Sequence, residues 1–138
     1  MIVHVANSVT EDAQGISAEL FKRYPYANIY ERRKHMKDKP GSVLISCPTG
    51  VAKTSQLGEK PVIIHIVTQK YPGPSKWDND SQDKRLEWFK EGLARIKLFP
   101  ACYDKTQTLA FPGFLHPDML QEVELLAADL PIDVYVYR

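Results

Sequence analysis

Three loops of this chain hold side chains whose types can do chemistry. In the first, Asn7 stands where an apolar run gives way to polar residues, and Glu11, Asp12, Gln14, Gly15 and Ser17 follow. An Asn at such a junction can orient a ribose hydroxyl or a water, or it can close an Asx-turn on its own backbone. Glu11 and Asp12 can act as a general base if one reaches its proton within about 3 Å. They can also hold an adenine amino group, or stay as solvated loop carboxylates. Gln14-Gly15-Ile16 opens a helical pattern, and a glycine there lets backbone N–H groups come close to a phosphate. The second loop follows Gln69 and Lys70 and carries Tyr71 and Trp77; the third carries Gly113, Phe114 and His116. Their aromatic rings can pack on a base or sugar face or complete the core. His116 can contact phosphate or act as an acid near neutral pH.

The elements that must position these loops are legible from periodicity. Met1–Ala6 reads as a short β-branched strand. Gly15–Tyr24 has helical spacing, with Ile16, Leu20 and Tyr24 four apart, and Pro25 ends it. The polar run Ala27–Lys37 reads as a second helix, Val43–Cys47 as a strand, and Pro48–Lys60 as a polar loop. Val62–Thr68 is an apolar strand interrupted only by His65. Ser81–Lys97 is a helix with the stripe Leu86, Phe89, Leu93 and Ile96, which Ser81 can cap and Asp83 favours in its first turn. Thr108–Phe111 is a strand, Pro117–Ala128 a helix opened by proline, and Ile132–Tyr137 a closing strand. Strands alternating with helices indicate an α/β protein with a mostly parallel sheet. Ligands of such sheets sit beyond the carboxyl ends of the strands, where all three loops fall.

The chain has 138 residues, 43% apolar and 25% charged, with two cysteines and a net charge of +1. That describes one domain with a core of its own. The charge balance argues against a nucleic-acid binder driven by bulk charge. No apolar run reaches the roughly 18 residues of a membrane helix, and the first residues do not resemble a secretory signal. Cys47 and Cys102 read as reduced thiols, so the expected location is the cytoplasm, with no membrane partner. His4 and His65, alternating with β-branched residues, read as buried, hydrogen-bonded strand histidines. With Cys47, Cys102, His35 and His116 too scattered to join them, no metal site is expected, and no cofactor. Residues 31–39, "ERRKHMKDK", read as a solvated helix face or, with Tyr24, Tyr26 and Tyr30, as a face for RNA. "GVAKTS" lacks the glycine that a phosphate loop places directly before its lysine, and a strand follows it instead of a helix.

The segment "IVHVANSVTEDAQGISAELFKRYP" resembles the first ligand loop of macro domains, in which an apolar strand ends in Asn and a glycine turn and helix follow. "KPGSVLIS" resembles the family's next strand, "PVIIHIVTQKYPG" its central strand and loop, and "DNDSQDKRLEWFKEGLARI" the helix after it. "LAFPGF" is similar to the strand entering the second phosphate loop, and "IDVYVY" to the last strand. The order holds across nearly the whole chain, and the glycohydrolase-like branch is the nearest. The chain departs from the family in having one glycine, Gly15, in its first loop. It also has Phe114, Leu115 and His116 after Gly113, and Gln69 with Lys70 where that branch has its lysine. No aspartate matches the branch's second-loop Asp, so lysine–aspartate chemistry is not expected.

The resemblance implies a three-layer α/β/α sandwich with a mixed, mostly parallel sheet. It also implies that ADP-ribose, or an ADP-ribosylated protein or metabolite, binds in a crevice above the sheet. Some family members hydrolyse ADP-ribosyl bonds or ADP-ribose 1″-phosphate, and others only bind. Carried onto this chain, the pyrophosphate lies on the amides of Gly15, Ile16 and Ser17 and of Gly113 and Phe114, with Gln14 and Gln69 beside it. Asn7 orients the distal ribose, and Asn7 or Asp12 positions a water if there is hydrolysis. The alternative is a degenerate macro fold that serves as a protein- or RNA-interaction module.

Overall fold

A computed structural model describes residues 1–33, 37–47, 61–98, 108–130 and 132–137. The expected loop over 48–60, with "GVAKTS", lies outside these residues, as do His35 and Cys102. Along the chain run β1 (Ile2–Asn7), α1 (Ile16–Arg23), α2 (Ile29–Arg33), β2 (Val43–Ser46), β3 (Ile63–Gln69), α3 (Gln82–Lys97), β4 (Thr108–Pro112), α4 (Pro117–Asp129) and β5 (Asp133–Tyr137). Short 3-10 turns sit at Pro25–Ala27 and Asp78–Asp80.

The five strands form one sheet in the order β2-β3-β1-β4-β5. β1 is parallel to both β3 and β4, β4 is parallel to β5, and β2 is antiparallel to β3. The protein is therefore α/β with a mixed, mostly parallel sheet. β1 and β3 hold the interior positions beneath the first two loops. The first six residues of β3 are buried, as a strand covered on both faces requires. Alternation sorts their side chains. Val3, Ile64 and Ile66 face the cluster built with Phe89 and Leu93 of α3 and Met119 and Val123 of α4. Ala6 and Ile63 face the other way, toward Phe21 of α1 and Ile29 and Tyr30 of α2.

Local chemistry accounts for the helix ends. The Ser81 hydroxyl accepts from the Lys84 N–H at 3.2 Å, so it caps α3 as expected. His116 caps α4, its Nδ1 accepting from the Asp118 N–H at 3.2 Å. The helix expected over 27–37 is broken at its start. Pro25 begins a tight turn, and the Asn28 side chain accepts from the Glu31 N–H at 3.1 Å, so α2 opens only at Ile29. Among the described residues no helix is long and apolar enough to cross a membrane.

Gly92 brings α3 close to the sheet. A Cβ there would lie 2.3 Å from Cγ2 of Ile66, a side chain with no exposed surface. Gly92→Ala should therefore lower stability by about 1–3 kcal/mol through overpacking, despite alanine's better helix propensity. Urea unfolding measures this, and an unchanged midpoint would show that α3 can move away freely.

Candidate functional site

A cleft of about 790 Å³ opens beyond the carboxyl ends of β1 and β3. β1 supplies its floor. The register between β1 and β3 slips between Ala6 and Asn7, an irregularity that re-aims the strand end. Asn7 is buried there, and both polar atoms of its side chain are hydrogen-bonded to the protein. Its Oδ1 accepts from the N–H of Val9 (3.2 Å) and Thr10 (2.8 Å), and its Nδ2 donates to the Tyr30 hydroxyl at 3.3 Å. Asn7 thus forms an Asx-turn that shapes the loop, and it also lines the cleft.

A buried cation supports the loop from below. Arg33 donates to the Thr10 carbonyl at 3.1 Å, pairs with Asp38 at 2.7 Å, and lies 4.6 Å over the Tyr30 ring. Ser8 donates its hydroxyl to the Asp38 carbonyl. Arg33 is therefore not part of a solvated basic face. Its charge is neutralised within the fold, which removes it from any surface for RNA.

The rim belongs to the turn before α1. Asp12, Gln14, Gly15 and Ile16 are exposed and line the cleft, with Ser17 half-buried beside them. Gly15 has φ +58° and open space where a Cβ would stand, a conformation that favours glycine. The Glu19 N–H is the one that closes onto the Gly15 carbonyl, at 3.2 Å. The amides of Ile16, Ser17 and Ala18 precede that bond, as the first N–H groups of any helix do. Glu11 and Asp12 are the charged side chains of the lining. An anion held here would rest on backbone amides and the helix dipole, leaving the carboxylates for hydroxyl or amino groups.

The second loop is fixed by an ion pair that the sequence reading did not identify. Asp80, fully buried, accepts from the N–H of Lys70 (2.8 Å) and Tyr71 (3.2 Å), and pairs with Arg85 of α3 at 2.6 Å. Arg85 also donates to the Gly73 carbonyl at 2.9 Å. Burial pushes the Asp80 carboxyl up, but hydrogen bonds from Arg85 and the two amides, with the Arg85 charge, hold it below the ordinary carboxylate value. Gln69 lines the cleft, yet its amide donates to the Tyr71 carbonyl at 2.7 Å. The third loop contributes Phe114, which is 57% exposed at the cleft's edge. Gly113 lies outside the lining, and His116 is occupied as a helix cap.

The sequence reading also missed a polar chain that crosses the sheet. The Ser17 Oγ is 2.7 Å from His4 Nε2, His4 Nδ1 is 2.9 Å from His65 Nδ1, and His65 Nε2 is 2.8 Å from the Ser46 Oγ. The pairing of β1 with β3 sets His4 directly beside His65, and Phe21 meets the His4 ring edge-on at 5.3 Å. Ser17 and His4 both line the cleft. The expectation that the strand histidines are buried and hydrogen-bonded holds. Their mutual contact was not visible without the strand order. Among the described residues, no group of three or more His, Cys, Asp or Glu could hold a metal ion.

No protein-family model matches the chain, and no curated protein matches it.

Burial lowers the His4 pKa to about 4 from an ordinary 6.5. The unfolded chain therefore binds the extra proton at higher pH than the folded one. Stability should be full above about pH 6.5 and fall toward pH 4, by on the order of 3 kcal/mol from this group. The Asp80 contribution is lost only further down, below the ordinary carboxylate value. Urea titrations at pH 7.5 and pH 4.5 should show a smaller loss for His4→Gln than for the wild type; equal losses would mean that His4 does not carry the effect. Asp80→Asn leaves Arg85 buried without its counter-charge, and should cost about 3–5 kcal/mol, with faster amide hydrogen exchange at Lys70 and Tyr71.

Proposed function

We propose that this chain is a macro-domain-like protein, a three-layer α/β/α sandwich that binds ADP-ribose or an ADP-ribosyl derivative in the cleft above β1 and β3. The observation that carries the reading is the open turn at Gly15. It is exposed, has positive φ, and leads into α1 beside a cleft of about 790 Å³, a size that accommodates a small-molecule ligand. The ordered series of sequence segments supports it, because the ends of its first and central strands, and Phe114 in the loop after β4, line this cleft.

In this reading the diphosphate lies on the amides of Ile16 and Ser17, with Gly73 leaving space on the facing loop. Phe114 stacks on the adenine or a ribose face. Asp12 and Glu11 accept from ribose hydroxyls. Asn7 acts by shaping the loop, since its own polar atoms are taken up within the fold. Any hydrolysis of an ADP-ribosyl bond would draw on Asp12 as the base. The alternative of an RNA-interaction module loses support from the burial of Arg33.

Titration calorimetry with ADP-ribose tests the proposal: saturable heat is expected, and no heat at millimolar ligand overturns it. Phe114→Ala should weaken binding about tenfold or more, as loss of one base–aromatic stack does. Gly15→Glu should abolish binding by setting a carboxylate on the amide turn, while the backbone strain lowers stability by about 1–3 kcal/mol.

A further inference from the structure

We propose that Ser17, His4 and His65 form a nucleophilic relay, and that the cleft hydrolyses small carboxylic esters through a covalent acyl-Ser17 intermediate. The three side chains are joined end to end at 2.7 Å and 2.9 Å, and the nucleophile end opens on the cleft. This is the arrangement that activates a serine: a hydroxyl within hydrogen-bond reach of an imidazole, which is itself oriented by a third group. Its origin lies in two elements. Ser17 sits in the first turn of α1, and His4 on β1 faces that turn from the sheet.

With both imidazoles neutral, the chain of bonds has two consistent directions. In one, the Ser17 hydroxyl donates to His4 Nε2, His4 Nδ1–H donates to His65 Nδ1, and His65 Nε2–H donates to the Ser46 hydroxyl. In the other, every donation is reversed. The first direction leaves His4 Nε2 ready to take a proton. Burial keeps His4 unprotonated at neutral pH. His65 and the Tyr30 ring face it from β3 and α2, and the cleft carboxylates Glu11 and Asp12 stand on the loop above.

The reaction is acyl transfer. The Ser17 Oγ attacks the ester carbon while its proton moves to His4 Nε2, and the carbonyl electron pair shifts onto oxygen. The amides at the start of α1 are donors for that oxyanion. Collapse expels the alkoxide, which takes the proton from His4 and leaves the acyl group on Ser17. Water then attacks the acyl carbon and gives its proton to His4. The Ser17 oxygen departs with that proton, and a carboxylic acid is released. His65 is a positioning residue: it holds the His4 tautomer and ring plane. Burial disfavours the His4 cation, and the partner of its Nδ1 is an imidazole rather than a carboxylate, so turnover is slow and covalent labelling is the sensitive readout.

The test is reaction of the wild-type chain with a fluorophosphonate and with p-nitrophenyl acetate, followed by peptide mass mapping. One adduct on Ser17 is expected with each probe, and His4→Gln should slow labelling about 10²–10³-fold, the range of a lost general base. His65→Asn puts an acceptor oxygen near the place of Nδ1. It should label faster than His65→Leu when both are compared at equal folded fraction, a difference that a purely structural role would not produce. No adduct on Ser17, or labelling that is unaffected by His4→Gln, overturns the proposal. Neither probe contains a nucleotide, so this outcome is independent of whether ADP-ribose binds.

Discussion

Two imidazoles buried side by side in a sheet must find hydrogen-bond partners, and His4 and His65 find each other. Their contact depends on the parallel register that sets His4 beside His65 on the central strands. A slip of β1 by one residue would turn His4 to the opposite face and away from His65, among the aliphatic side chains that pack on α3 and α4. The register, the position of α1 against β1, and the depth of the cleft are therefore linked. Ser17 and Ser46 close the two ends of the chain, so each ring nitrogen has a polar partner. That satisfies the groups whose desolvation would otherwise be costly.

The loops above this floor are held by two buried arginines that act in similar ways. Arg33 supports the first loop through the Thr10 carbonyl and Asp38, and Arg85 supports the second through Gly73 and Asp80. Each is a cation paired with one carboxylate that also donates to a backbone carbonyl of the loop it supports. Such anchoring leaves the rim residues Asp12, Gln14, Gly15 and Phe114 exposed on a fixed frame. The cleft lining has carboxylates and no arginine, and Arg33 and Arg85 are buried in the fold.

The polar side chains divide into those that build the cleft and those that are free to use it. Asn7 and Gln69 line the space, but their amides are engaged with Val9, Thr10, Tyr30, Tyr71 and Arg85. An amide side chain at a strand end can do either task, and the local backbone decides which. At Gly15, by contrast, the carbonyl takes the first helical bond and open space lies where a Cβ would stand.

Periodicity and caps were enough to place the strands, the long helices and the three loops, because those signals are local. Ser81 caps its helix and Pro117 opens the next through contacts within one turn, and the burial of the two strand histidines follows from their alternation. The glycine before α1 was also readable, from its place at the opening of a helical pattern. The strand order decided the rest. That His4 meets His65, that β2 runs antiparallel, and that Arg33 is buried rather than solvated all depend on contacts between residues far apart in the chain. No spacing in the sequence encodes which strands pair, so the relay from Ser17 to Ser46 exists only once the sheet has assembled.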